Sequence, residues 1–133
     1  PGGRIGLANW TPAGFIGRMF KTVGRYVPPP AGVLPPVLWG DEDRLRELFG
    51  DDVESLAVNR RQFVFRYRSA EHWLDTFRTY YGPTLKAFSA VDDAARAALE
   101  GELLALANEA NTSSTGTLRV PSDYLEVVAV KKG

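Results

Sequence analysis

The stretch that decides the fold is Arg4-Ile5-Gly6-Leu7-Ala8-Asn9-Trp10 (RIGLANW), which Thr11-Pro12 follows directly. The run is short and mostly apolar, as expected of a strand that is buried on both faces of a sheet. Thr11 is a suitable N-cap and Pro12 suits the first helical position, so a helix is expected next. Apolar residues then recur at helical spacing as far as Val27. The chain is thus predicted to open with a strand and a helix.

The rest of the chain supplies two more strands and several helices. Pro28-Pro29-Pro30 ends the first helix and begins a proline-rich loop. The elements predicted after the loop are a short helix at Asp41–Phe49, a strand at Val53–Arg68, helices capped by Ser69 and Asp92, and a strand at Leu118–Val130. The last two strands therefore enclose a helical insertion at about residues 69–110. This order predicts an α+β fold.

Composition sets the limits on size and partners. The chain has 133 residues and 14.6 kDa, which predicts a single domain over residues 1–133. Lysine plus arginine and aspartate plus glutamate both number 16, so the net charge is zero and neither nucleic acid nor a membrane surface is expected as a partner. Cysteine is absent, which excludes disulfides and thiolate metal sites and favours a cytoplasmic location.

No pattern in the sequence indicates a catalytic or metal-binding constellation. His72 is the only histidine and falls in the first turn of its predicted helix, without metal-ligand company. The acidic pairs Asp51-Asp52 and Asp92-Asp93 read as helix-cap or loop acids. We therefore expect no catalytic residue and no metal ligand in this chain.

The start of the chain is unusual because Pro1-Gly2-Gly3 is a sequence typical of a turn and stands immediately before a predicted strand. A domain rarely begins inside a tight connection. Two interpretations stay open at this point. A preceding segment has been removed or lies on another chain, or only an initiator methionine has been trimmed.

Several runs together resemble the second half of class I S-adenosylmethionine-dependent methyltransferases, and bacterial ones of the ubiquinone/menaquinone-biosynthesis type in particular. The runs that carry the resemblance are GLANWTPAGFIG at 6–17, RYVPPP at 25–30, LWG at 38–40 and YYGPTLKAF at 80–88. The turn Pro1-Gly2-Gly3 matches the glycine-glycine turn before the fifth strand of that fold. The likeness spans essentially the whole chain.

The resemblance implies a three-stranded mixed sheet in the order 5-7-6 with helices packed on it. Arg4–Trp10 would be the fifth strand, Val53–Arg68 the sixth and Leu118–Val130 the seventh. The cofactor of that family is held by a glycine-rich loop after the first strand and an acidic residue ending the second, and neither has a counterpart here. S-adenosylmethionine is therefore expected in the complete enzyme, and no cofactor is expected on this chain alone.

The function implied is the C-terminal, substrate-side portion of a methyltransferase that acts on a small, apolar acceptor and is inactive alone. Asn9 and Trp10, at the carboxyl end of the first strand, would line the acceptor pocket, or else serve in a turn and in the core. Tyr80 and Tyr81 would belong to a lid over the acceptor, or else simply pack as amphipathic rings. The alternative function is a ligand-binding or oligomerisation module without catalysis.

The expected partners follow from the strand at residues 4–10. Without a neighbour on its outer side, that strand would present unpaired N–H and C=O groups beside apolar side chains. Such an edge recruits another strand. We therefore expect pairing with a second copy of the chain or with a separate cofactor-binding half, besides a possible small apolar ligand.

Overall fold

The computed structural model describes residues 2–133, so Pro1 of the predicted opening turn lies outside the described residues. Gly2 has a φ of +69°, which a residue with a side chain rarely adopts. Its backbone N–H donates to the carbonyl of Lys131 at 3.1 Å, and Lys131 donates to the carbonyl of Gly3 at 2.8 Å. The two glycines thus continue the hydrogen bonding between β1 and β3 beyond the end of β1.

The described residues form three strands and five α-helices. In chain order the elements are β1 (Arg4–Trp10), α1 (Phe15–Tyr26), a 3-10 turn (Pro36–Gly40), α2 (Glu42–Phe49), a second 3-10 turn (Gly50–Asp52), β2 (Val53–Tyr67), α3 (Ala70–Tyr80), α4 (Gly82–Ala90), α5 (Asp93–Ala110) and β3 (Leu118–Lys131). The predicted bounds of the first strand are confirmed at both ends. The helical insertion between the last two strands is confirmed as α3 to α5.

The last strand lies in the middle of the sheet, whose order is β1-β3-β2. β1 and β3 are antiparallel, with Arg4 opposite Val130 and Trp10 opposite Tyr124. β2 also runs against β3, because Lys132 donates to the carbonyl of Asp52 while Gln62, ten residues further along β2, bonds Asp123. Both neighbours of β3 are therefore antiparallel to it.

The α+β class is confirmed, but the sheet is antiparallel where a mixed sheet was expected. The reason is the central position of β3. Every hydrogen-bonded pair in a three-stranded sheet includes the middle strand, so one reversed middle strand makes all pairs antiparallel. A parallel pair would require a further strand on the free side of β1 or β2.

Contacts between residues divide the chain into two compact units. Unit 1 comprises the residues up to Gly17, Leu34–Phe63 and Ser122–Gly133; unit 2 comprises Arg18–Val33 and Val64–Pro121. Each contains buried apolar side chains of its own. The single domain expected for residues 1–133 stays a prediction.

The core of unit 1 lies between α2 and the sheet. Leu45 of α2 is fully buried against Leu125 and Val127 of β3, and partly buried side chains pack around them: Leu7, Phe49, Leu56 and Val58. Removal of these side chains from water is the main stabilising contribution, at roughly 1.5–3 kcal/mol for each one that is fully buried. The short helix α2 is held in place by this contact because eight residues are too few for a stable isolated helix.

The core of unit 2 is built by the helical insertion. α3 packs on α4 and α5, and the largest buried side chains are Trp73, Leu74, Leu99 and Leu103. Phe77 meets Phe65 and Tyr67 of β2 edge-on, with ring centroids 5.8 and 6.4 Å apart. Aromatic packing therefore covers the part of β2 that belongs to this unit.

Two of the predicted helix caps are confirmed and one differs. Ser69 and Asp92 each accept a hydrogen bond from the backbone N–H three residues later, and so does Asp41, which was expected to be the first residue of its helix. The hydroxyl of Thr11 also accepts from Gly14 at 3.1 Å, but α1 begins only at Phe15. Residues 11–14 form a separate turn because Thr11 is also held by β3, where its N–H donates to the carbonyl of Asp123 at 3.1 Å.

None of the helices within residues 2–133 combines the length and the apolar character that crossing a membrane requires.

Two glycines of α1 differ in the space around them, which gives a matched test of how the turn at residues 11–14 packs against this helix. A Cβ on Gly17 would overlap the carbonyls of Thr11 and Pro12, whereas a Cβ on Gly24 meets nothing within 4 Å. We expect Gly17→Ala to destabilise the protein by about 1–3 kcal/mol through overpacking. Gly24→Ala should stabilise it by about 0.5–1 kcal/mol because alanine is the better helix former.

Urea unfolding of the two variants beside the unaltered chain measures both effects. The same chemical change in one helix should give opposite signs. Equal stabilisation by both substitutions would show that the turn does not pack against the helix as described.

Candidate functional site

An aromatic pocket lies in unit 1 at the carboxyl end of β1. The Trp10 ring meets Phe63 of β2 and Tyr124 of β3 edge-on, with centroid distances of 6.2 and 5.9 Å. These three rings and Ala8 line a pocket of about 310 Å³. A volume of this size suits a small organic molecule.

Strand pairing explains why the aromatic side chains meet. Trp10 and Tyr124 lie directly opposite each other in the antiparallel pair, and side chains of such a pair share one face of the sheet. Ala8 is two residues before Trp10 and therefore projects from the same face. Phe63 completes the group from β2, the strand that borders β3 on the side away from β1.

The face that carries this pocket is open to solvent in unit 1. Phe63 is 50% exposed, and Val128 on the same face is 40% exposed. In contrast, Leu125 and Val127 on β3 are buried, and Leu125 lies opposite Asn9. Apolar surface is therefore accessible on the face of β1 and β3 that carries Trp10.

The backbone at the end of β1 is held on two sides. Gly40 packs so closely that a Cβ there would overlap the carbonyl of Trp10. Ser122 of β3 is buried and its hydroxyl accepts the backbone N–H of Ile16 at 3.3 Å. Together with the bonds from Thr11 to Asp123, these contacts fix the position from which the Trp10 side chain projects.

Asn9 does not line the same pocket as Trp10. Successive residues of a strand point to opposite faces, and Asn9 lies opposite Leu125 while Trp10 lies opposite Tyr124. Within residues 2–133, the Asn9 side chain is half-buried and forms none of the hydrogen bonds of the structure. Its amide is thus available to a polar group on the other face.

Tyr80 and Tyr81 belong to unit 2 and differ from each other. Tyr80 ends α3 and is 82% exposed. The Tyr81 ring packs against Phe77 and Phe20, with centroids 4.9 and 6.2 Å away, and burial raises the pKa of its hydroxyl. Tyr81 thus makes the contacts of a packed ring, while Tyr80 presents its ring to solvent; a lid role for the two stays a prediction.

Two ion pairs involve residues near Phe63 and Tyr124 in the sequence, and none of their members lines the aromatic pocket. Arg61 lies 3.4 Å from Glu126, and Arg60 lies 3.6 Å from Asp123, which also accepts from Gln62 at 3.0 Å. These pairs are partly exposed and contribute little to stability. They neutralise each other, so the pocket is suited to an uncharged ligand.

The lining offers shape and mostly apolar surface. Its four residues are Ala8, Trp10, Phe63 and Tyr124, and none is a carboxylate or a histidine. No group of three metal-binding side chains occurs in the part of the chain that the structure describes. The arrangement can hold and orient an apolar molecule.

Sequence reasoning identified Trp10 but missed Phe63 and Tyr124. The alternation of Phe63 with Phe65 and Tyr67 indicated core positions, yet Phe63 is half exposed. Phe65 and Tyr67 are closer to the predicted core positions because Phe77 of α3 packs against them. The strand periodicity correctly put the three on one face; what covers each part of that face depends on helix packing.

No protein-family model matches the chain. The uncharacterized protein Rv1405c of Mycobacterium tuberculosis is 38% identical over 136 residues, which cover 99% of the chain and 48% of that protein. The uncharacterized protein Mb1440c of Mycobacterium bovis gives the same values. A second protein of Mycobacterium tuberculosis, the uncharacterized protein Rv1403c, is 36% identical over 112 residues, covering 81% of the chain and 41% of that protein. The chain therefore spans about half the length of the curated relatives it matches.

A double-mutant cycle tests the aromatic pocket. We expect Trp10→Ala and Phe63→Ala to be non-additive, with a coupling of about 0.5–1.5 kcal/mol in the free energy of unfolding, because each ring loses its partner in either single variant. Leu48→Ala serves as the matched control for Phe63→Ala, since Leu48 is also exposed, at 44%, and lines a different pocket with Trp39. A coupling with Leu48 as large as that with Phe63 would contradict the direct contact.

Proposed function

We propose that this chain is the substrate-side portion of an S-adenosylmethionine-dependent methyltransferase that acts on a small, apolar acceptor. The observation that carries the proposal is the insertion of β3, antiparallel, between β1 and β2. The resemblance drawn from the sequence implies the same strand order, 5-7-6, with the last strand in the middle. Fold alone does not establish activity, so the pocket at the carboxyl end of β1 supplies the second support.

The aromatic pocket fits the demands of methyl transfer. Open α/β sheets bind their ligands outside the carboxyl ends of the strands, where Trp10 lies. The reaction depends chiefly on placing the acceptor in line with the methyl group. The rings of Trp10, Phe63 and Tyr124 would hold a flat or apolar acceptor, and the absence of a general base from the lining is compatible with that role.

The described residues do not fit the cofactor itself. A phosphate- or nucleotide-binding loop joins a strand to a helix through glycines whose backbone approaches the ligand. The glycines with positive φ are Gly2, Gly32, Gly50 and Gly116, and none of them joins a strand to the helix that follows it. S-adenosylmethionine supplies the methyl group in such enzymes, and its binding residues would have to come from outside this chain.

The proposal includes a partner for β1 and a location in the cell. The curated relatives are about twice as long as the chain, so they have room for a cofactor-binding half. We infer that such a half pairs with β1, whose outer edge has no neighbouring strand in the described sheet. A cytoplasmic location is part of the same proposal and rests on the absence of cysteine.

Calorimetric titration of S-adenosylhomocysteine tests whether the cofactor is bound by residues outside this chain. We expect no measurable binding to this chain alone and binding with a Kd of about 1–100 μM to the full-length mycobacterial relative Rv1405c. The control is the segment of the relative that matches this chain, which should behave like the chain. Failure of the full-length relative to bind would remove the methyltransferase proposal.

The second candidate function is a self-associating or ligand-binding module without catalysis. It is favoured by the border position of β1 combined with the exposure of Ile5, which is 46% exposed on that strand. An edge strand with exposed apolar side chains pairs readily with another copy. A second copy of β1 would satisfy the same backbone groups as a cofactor-binding half.

The substitution Ile5→Lys tests self-association. If two copies pair through β1, light scattering should show a dimer for the unaltered chain at about 1 mM, and Ile5→Lys should give a monomer because charge on an edge strand opposes pairing. Val33→Lys is the control, since Val33 is 53% exposed in the proline-rich loop. A monomeric unaltered chain at that concentration would exclude self-association as the function.

A further inference from the structure

A second pocket, in unit 2, is lined by cationic and hydroxyl-bearing side chains. It measures about 650 Å³ and lies between the end of β2, the start of α3 and the loop before β3. Arg66, Arg68, Arg119 and His72 contribute to its lining, together with most of residues 112–119. No aspartate or glutamate is among the lining residues.

The arginines of this pocket differ from most others in the chain. Eight of the twelve arginines lie within 4.0 Å of a carboxylate. Within residues 2–133 the four that form no such pair are Arg4, Arg66, Arg68 and Arg119. Three of these four surround one pocket. In a chain with zero net charge, this is a local surplus of positive charge.

Such a cluster is a favourable place for an anion. Guanidinium groups remain charged at all physiological pH values, and like charges gathered around one cavity repel. Within residues 2–133, no carboxylate lies within 4.0 Å of these three arginines. A bound anion would offset the repulsion and accept charge-assisted hydrogen bonds from the guanidinium groups.

The loop before β3 adds neutral donors to the cationic ones. Asn111 organises this loop, because its side-chain oxygen accepts the backbone N–H groups of Ser113 and Arg119 at 3.0 and 2.8 Å. The hydroxyls of Ser113, Thr115 and Thr117 lie 2.8–3.1 Å from one another. Hydroxyl groups of this kind can turn their protons towards a ligand oxygen.

Two further contacts orient side chains in the pocket. A guanidinium nitrogen of Arg119 donates to the Thr112 hydroxyl at 3.0 Å, which ties the cation to the loop. His72 Nδ1 accepts the backbone N–H of Arg68 at 3.3 Å, which leaves Nε2 as the ring nitrogen that can donate to a ligand. Tyr67, edge-on to the His72 ring at 5.5 Å, supplies an apolar wall.

We propose that this pocket binds a phosphate-bearing small molecule through Arg66, Arg68 and Arg119. A terminal phosphate offers three anionic oxygens, which match several guanidinium forks and hydroxyl donors better than the two oxygens of a carboxylate do. The volume leaves room for an organic body beside the phosphate. This inference is independent of the methyltransferase proposal because every residue it uses lies in unit 2.

Titration of inorganic pyrophosphate into the whole chain tests the proposal. NMR should show saturable shifts of the side-chain N–H signals of Arg66 and Arg119 and of the amides of residues 112–117, with a Kd of about 1 mM or tighter. Arg66→Gln and Arg119→Gln should each weaken binding about tenfold. Both residues are exposed, so neither substitution should unfold the chain.

Arg4→Gln is the matched control because, of the arginines in the described residues 2–133, Arg4 alone lacks a carboxylate partner and lies outside this pocket. It should leave the pyrophosphate affinity unchanged. Sodium acetate at equal ionic strength should produce no saturable shifts. Equal shifts with acetate, or equal loss of affinity in Arg4→Gln, would show general charge screening and overturn the proposal.

A single-stranded oligonucleotide forms the last arm of the experiment. Phosphate groups of nucleic acid present the same chemistry in a repeated backbone, with affinity that falls steeply with salt. Binding of the oligonucleotide without binding of pyrophosphate would replace a small-molecule site with a nucleic-acid surface and overturn the proposal. Pyrophosphate binding that Arg119→Gln weakens and Arg4→Gln leaves intact would support it.

Discussion

The placement of β3 between β1 and β2 is the constraint on which the rest of the structure depends. An antiparallel middle strand must satisfy backbone groups on both of its sides, so it fixes the register of both neighbours. It also brings the first and last residues of the described chain together, as the bond from Gly2 to Lys131 shows. The turn at Thr11 and the first residues of α1 are tied to the same strand through Asp123 and Ser122.

The burial pattern of β3 explains where the aromatic pocket lies. Its buried residues are Leu118, Val120, Ser122, Leu125, Val127 and Ala129. In unit 1 the buried residues Leu125, Val127 and Ala129 alternate with Tyr124, Glu126 and Val128. Tyr124 therefore projects from the face opposite the buried row, where its ring meets that of Trp10.

Much of the fold could be predicted from the sequence because local signals agree with the tertiary structure. The bounds of β1, the caps at Ser69 and Asp92 and the insertion of helices before β3 follow from turn residues and periodicity. The start of α1 was misplaced because Thr11 bonds a distant strand as well as the local turn. Long-range contacts of this kind leave no local pattern.

The two pockets were less accessible to sequence reasoning for the same physical reason. Arg66 and Arg68 stand in alternation near the end of a strand and look like ordinary surface residues, whereas Arg119 lies about fifty residues later. Their meeting depends on the pairing of β2 with β3. Their lack of acidic partners can be seen only when the positions of all carboxylates are known. Charge totals conceal such a cluster because they average over the whole chain.

The chemistry of the two pockets restricts the functions that the fold can serve. The polar side-chain groups of the pocket at Trp10 are the Tyr124 hydroxyl and the Trp10 indole N–H, and the rest of its lining is apolar. The pocket in unit 2 combines cations and hydroxyls with the imidazole of His72. Both can hold a molecule through these contacts. In a methyltransferase the reactive group arrives with the cofactor, and a protein segment that only positions its ligand is sufficient.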